Sequence, residues 1–166
     1  MTLTVVDQFA FENPIDSIEE IVSVNEWPFD RVSSEELSAC INGSWCDHHL
    51  SFTYMEEREA LQVIAAFDIR VKPERRAAVY ELLGRINEYV WLGHFELWAE
   101  DSIPVYRHTQ LMERAPELAA GQLESLIQAA VTECERFYPA FQFLLWSGKS
   151  AEEAIAACML ETVGEA

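Results

Sequence analysis

Residues 71–108 read VKPERRAAVYELLGRINEYVWLGHFELWAEDSIPVYRH, and the fold turns on how this stretch divides. Pro73 suits a first helical turn, where a missing N–H is no loss. Ala77, Ala78, Leu82, Leu83 and Arg85 favour helix. At about 100° per residue, Val79, Leu83, Ile86 and Val90 form one stripe. Leu82 and Tyr89 flank it on one side and Tyr80 on the other. The spacing predicts a helix from Pro73 to about Trp91. Gly93 reads as the glycine past its end. His94–Trp98, a polar turn and Ile103–His108 then read as a strand–turn–strand.

The apolar arc of this helix is about 200° wide, against roughly 100° or more for one-sided packing. Such a helix should touch two things. One is its own sheet. The other is either a second chain or the C-terminal helices. If it is a second chain, Tyr80, Leu82 and Tyr89 are the interface residues.

Upstream, Asn13-Pro14 opens a helix, with Asn as cap and Pro in the first turn. Ile15, Ile18, Ile21 and Val22 form its buried stripe, and Trp27-Pro28 ends it. Phe29 and Val32 are expected to pack beneath it. Three strands follow: Leu37–Ile41, Trp45–Met55 and Ala60–Ile69. Asn42-Gly43 is a hairpin signal, and Glu56–Glu59 a charged turn. Cys46, His48, Leu50, Phe52 and Tyr54 are the more apolar alternate set, so they should face inward. Leu61, Val63, Ala65, Phe67 and Ile69 share a face in the third strand.

Downstream, Leu111–Gly121 reads as a linker. A long helix begins at Gln122, and Pro139 should kink or break it near Phe137–Tyr138. Gly148 ends it. Ser150-x-x-Glu153 is a capping box for a short last helix. The order α-βββ-α-ββ-α-α points to an α+β fold: a five-stranded antiparallel sheet with helices packed on one face. At 166 residues, one domain is expected over 1–166, with its core at 13–160.

The chain carries 29 acids against 11 bases, a net charge of −18. Residues 1–70 hold 14 acids and 3 bases, residues 71–114 hold 7 and 6, and residues 115–166 hold 8 and 2. Nucleic acid and anionic membrane surfaces need Lys/Arg clusters, so both are poor partners. Basic polypeptides are better ones. No apolar run approaches the roughly 20 residues that span a bilayer. Met1–Phe11 lacks the pattern of a secretory signal. Cys40, Cys46, Cys134 and Cys158 form no C-x-x-C pair and read as reduced cytoplasmic thiols.

Catalytic patterns are missing. His48 and His49 are adjacent in a strand, face opposite ways and cannot share a metal. His94-x-Glu96 lacks the downstream P-C-x-x-C of a zinc deaminase. Phosphate loops and nucleophile elbows do not occur. No catalytic residue, cofactor or metal site is assigned. Trp27, Trp45, Trp91, Trp98 and Trp146 lie mostly near element ends, where aromatics serve as core lids or interface anchors. Trp45 and Trp98 fall off the more apolar face of their hairpins and are the candidates for exposure.

Several stretches carry a resemblance. Trp27-Pro28-Phe29-Asp30-Arg31, Asn87 shortly before Gly93-His94-Phe95, Val105-Tyr106-Arg107-His108, and Gly148-Lys149-Ser150-Ala151-Glu152-Glu153-Ala154 resemble the YbjN-type family, labelled a bacterial sensory transduction regulator. The likeness runs from about Ile15 to Leu160. It implies a fold similar to type III secretion chaperones, a dimer, and a surface presented to another polypeptide. It brings no functional residues. Asn87 and Arg107 match family positions and are read structurally, as satisfying a loop and anchoring a hairpin.

The reading that follows is a non-enzymatic cytoplasmic protein-binding module acting as a homodimer. The alternative is a small-molecule sensor or cryptic enzyme, with an apolar pocket between sheet and helices.

Overall fold

Alternation and turn chemistry build an antiparallel sheet of six strands in the order β1-β2-β3-β4-β6-β5. The strands are β1 (Phe29–Arg31), β2 (Glu36–Asn42), β3 (Asp47–Met55), β4 (Ala60–Ala66), β5 (His94–Trp98) and β6 (Ile103–Leu111). The helices are α1 (Pro14–Val24), α2 (Arg76–Asn87), α3 (Ala120–Leu145) and α4 (Ala151–Val163). This computed structural model describes residues 13–112 and 120–163. The expectation for Met1–Phe11 and most of the Leu111–Gly121 linker lie outside the described residues.

The α+β architecture with an antiparallel sheet is as expected, but the sheet has six strands, not five. The extra one is β1, whose Asp30 pairs with Ser38. Phe29 and Val32 do not pack beneath α1. They are 40% and 59% exposed. Three residues are too few to show a period, so Phe29–Arg31 left no strand signature. Arg31 ties β1 to α1 through Asp16 at 2.9 Å and Glu19 at 2.5 Å. The first helix stops at Val24, short of Trp27, with Asn13 accepting from the Ile15 N–H.

The inward set holds. Leu37, Ala39, Ile41, His48, Leu50, Phe52, Tyr54, Leu61, Val63 and Ala65 are all buried. The β2–β3 turn is not centred on Asn42-Gly43, because the Gly43 N–H bonds to the Cys46 carbonyl and puts Ser44 and Trp45 at the tip. Trp45 is therefore a turn residue, 46% exposed.

The central helix is shorter than its periodicity suggested. Pro73–Arg75 is a 3-10 turn, α2 ends at Asn87, and Tyr89–Trp91 lie beyond it. Its end is fixed by a tertiary contact: the Asn87 amide donates to the Phe95 carbonyl at 2.9 Å and accepts the Phe95 N–H at 2.8 Å. Gly93 follows with φ +72°, and a Cβ there would lie 2.8 Å from the Arg107 carbonyl oxygen and 2.5 Å from the Tyr106 hydroxyl. That hydroxyl donates to the Leu92 carbonyl.

α1 and α3 lie on the sheet, α2 packs against β5, α3 and α4, and α4 sits on α2 and α3. Val79, Leu82, Leu83 and Ile86 of α2 are buried. The sheet and the C-terminal helices thus take up the central stripe and Leu82, while Tyr80 and Tyr89 at the margins of the arc stay exposed. Pro139 does not break α3, which runs unbroken for 26 residues. Pro139 is itself buried, and the aromatic residues on either side of it in the helix pack tightly. Phe67 meets Tyr138 and Phe141 edge-on at 5.3 Å, and Phe95 meets Phe137 at 5.8 Å. Contacts of that kind offset one lost backbone hydrogen bond. Gly148, at φ +66°, follows the end of α3. The Ser150/Glu153 box forms, with bonds of 2.9 and 3.2 Å.

Candidate functional site

Helices cover one face of the sheet. On the other, among the described residues, no helix lies. Strand register brings Ser38, Ser51 and Ile64 into one row across β2, β3 and β4, and Cys40, His49 and Ala66 into the next. Their side chains are half-buried, except the exposed His49. Most are small, so the floor they make is low. Pro28 and Asp30, which share the Ser38 side of β1, stand at one edge and Trp98 at the other, around a groove of about 610 Å³. Strands lie about 4.8 Å apart, so a floor three strands wide takes one extended segment.

A polar network fixes the Trp98 wall. The indole N–H donates to Glu96 Oε1 at 2.8 Å, and Arg107 Nη2 reaches the same oxygen at 2.6 Å. His94 Nε2 lies 3.3 Å from the other oxygen. Burial alone would raise the Glu96 pKa. The hydrogen bonds from Trp98 and His94 and the charge of Arg107 outweigh it and hold the carboxyl below its usual range. Glu96 and Arg107 thus pair across the hairpin.

The sheet edges are poor templates for another strand. β1 is three residues long. On β5, Asn87 occupies both backbone groups of Phe95. Short or capped edges are how sheets avoid strand addition. The face is more accessible than the edge.

A second cluster lies on the covered side. His48 is fully buried, with Nε2 2.5 Å from Glu135 Oε1. The Ser44 N–H donates to the other Glu135 oxygen at 2.9 Å. Cys46 Sγ lies 4.0 Å from His48 Nδ1. Gly43 makes room for this pair: a Cβ there would run into Glu135 Oε1 and His48 Nε2. Burial would raise the Glu135 pKa, but the bonds from His48 and Ser44 win and lower it. Burial first, and then the Glu135 carboxylate, push the Cys46 thiol up to about 11. A nucleophilic cysteine needs the reverse, a thiolate favoured near neutral pH. The constellation is a clamp joining the β2–β3 turn to α3, with the thiol kept protonated. Cys46-x-His48 on one strand face was visible in the sequence. Glu135, 87 positions away, was not.

The five expected interface residues differ in exposure. Tyr80 and Tyr89 are 51% and 49% exposed, Trp45 is at a turn tip, and Trp98 is half-buried in the groove wall. Leu82 is fully buried and cannot touch a partner. Asp30, Ser38, Ser51 and Ile64 carry no site signal in the sequence, because small and mixed residues facing outward look like ordinary surface. His94 is exposed at the edge strand, and His48 and His49 face opposite sides. Among the described residues no three His, Cys, Asp or Glu groups converge as a metal site requires, and no helix is long and apolar enough to cross a membrane. All four cysteines are free.

A family model described as "YbjN: Putative bacterial sensory transduction regulator" matches residues 14–143. The match stops before Gly148–Ala154, one of the stretches that carried the resemblance. No curated protein matches the chain. Among solved structures, a chain of "Structure of the HopA1-SchA Chaperone-Effector Complex" is similar in fold, with a TM-score of 0.50 and 14% identity. The alignment covers 80% of this chain and 95% of that one. The chaperone-like fold expected from the resemblance is thus the fold observed.

Proposed function

This chain belongs to the YbjN family, and from that premise we propose that it is a non-enzymatic protein-binding module, chaperone- or regulator-like. The groove across the helix-free face of the sheet is the observation that carries this reading. Its occupant is an extended polypeptide segment, apolar at the centre and basic at its flanks. Ile64, Ala66 and Trp98 meet the apolar part. Asp30 at the groove and the exposed Glu36 and Asp47 beside it favour the basic flanks. The chaperone–effector neighbour supports a protein partner by analogy of fold alone.

In this reading the module works in the cytoplasm, where four free thiols stay reduced, and pairs with itself. Leu82 and the central stripe of α2 no longer argue for pairing, since other elements cover them. Support comes instead from Tyr80, Tyr89 and Trp91, exposed on or just past α2. Sedimentation at high micromolar concentration tests this, and a monomer there ends the homodimer.

The rival, a sensor or cryptic enzyme, would draw on Cys46, His48 and Glu135. The raised Cys46 thiol argues against it. A peptide array tests the main reading. Peptides with apolar centres and basic flanks should bind, and Ile64→Asp or Trp98→Ala should abolish binding. Binding that survives both substitutions overturns the groove.

A further inference from the structure

Backbone alternation sets up a second, chemically different surface. Ile69 and Val71 are buried, so Arg70 and Lys72 between and beside them point outward together. The Val71 N–H, bonded to the Ser102 carbonyl at 2.7 Å, holds this segment in place. Arg75 joins them from the turn that opens α2, its guanidinium fixed by a 2.6 Å bond from Nη2 to the Leu144 carbonyl. Trp146, just past α3, is 64% exposed and completes the wall. Together with Glu74 and Leu145 these residues line a cleft of about 390 Å³. That is within the size range of small-molecule sites.

The charge pattern here runs against the rest of the molecule. Acids outnumber bases by 18, and Arg31, Arg85, Arg107 and Arg136 each sit against a carboxylate. Arg70 and Lys72 have no ion pair among the described residues, and Glu74 is the one acid in the lining. The acidic surface elsewhere does not cancel this locally, because exposed charges are screened beyond about 8 Å at physiological ionic strength. It does oppose any long polyanion, whose phosphates would run off the cleft onto carboxylates.

We propose that this cleft binds a small phosphorylated molecule with a planar ring, of the nucleotide class. Arg70, Lys72 and Arg75 take the phosphates, and the ring stacks on the Trp146 indole. Guanidinium and ammonium groups are the usual phosphate donors, and an exposed indole face accepts a flat base of any sequence. The site is independent of the sheet groove and does not rest on the protein-binding reading.

Calorimetry with ADP, adenosine and inorganic phosphate tests it on the whole chain. ADP should bind, and adenosine and phosphate should each bind about tenfold more weakly or less. The double variant Arg70→Gln/Lys72→Gln should lose about tenfold or more in ADP affinity. Trp146→Ala should weaken ADP severalfold and leave phosphate binding unchanged, while Trp146→Phe restores the stack. These side chains are exposed, so thermal unfolding should not move and serves as the folding control. No heat with ADP at about 5 mM overturns the site. So does ADP affinity unchanged in the double variant, or phosphate binding as tight as ADP.

Discussion

The two faces of the sheet obey different rules. Under the helices, Leu50, Phe52, Leu61, Val63, Phe95 and Tyr106 are at most 2% exposed, and the one buried histidine is clamped by Glu135. On the open face, small polar residues and single apolar ones alternate, and ordered polar contacts gather around Trp98. The first surface is specified by exclusion of water. The second stays half-wet, which is what a surface that exchanges water for a partner requires. Stability should therefore reside on one face and binding on the other.

Truncating the covered face should cost most. Phe95→Ala removes a ring that meets Phe67, Tyr106, Phe137 and Phe141, and urea unfolding should show a loss of about 3–5 kcal/mol. Gly93→Ala should follow, at about 1–3 kcal/mol for the left-handed backbone alone, read as a lower thermal midpoint.

Glu135→Gln comes next and sharpens the comparison through pH. The folded Glu135 pKa is lowered from its ordinary 4.5. Its contribution is therefore present above that value and is lost as pH falls through the folded pKa. The native chain should lose stability on acidification below about pH 4.5 more steeply than the variant, as followed by far-UV signal across an acid titration.

The open face should respond in the opposite sense. Ile64→Ala should change stability by about 1 kcal/mol or less and abolish most peptide binding on an array. A larger loss of stability than of binding would break the division between faces. Smallest of all, Tyr80→Ala should leave unfolding within about 0.5 kcal/mol. A shift in its sedimentation from dimer to monomer would place the self-contact on α2.

Much of this was legible before the fold was known. Asn13-Pro14 and Ser150/Glu153 act within a few residues of themselves, and local chemistry announces local structure; Gly93 is not the cap of α2, which ends at Asn87, and its place is set by Tyr106 and Arg107. The inward set of β3 was legible because a period of two is hard to mistake. Other features were hidden for stated reasons. β1 has three residues and exists because β2 is there to pair with. α2 stops at Asn87 because that side chain finds Phe95, not because the apolar period ends. Pro139 is tolerated because aromatic packing outweighs one lost hydrogen bond. The groove residues look unremarkable singly, since the floor is a property of three strands in register.

The sequence by itself determined the helix caps, the alternating strands, the acidic balance and the membership of an α+β family. Only the tertiary structure decided that Leu82 belongs to the core while Tyr80 and Tyr89 stay exposed, and that Ser38, Ser51 and Ile64 share a row. The physical reason is range. Caps and periods are set by neighbours within a turn or two, whereas burial and convergence depend on which distant segment arrives to exclude the water.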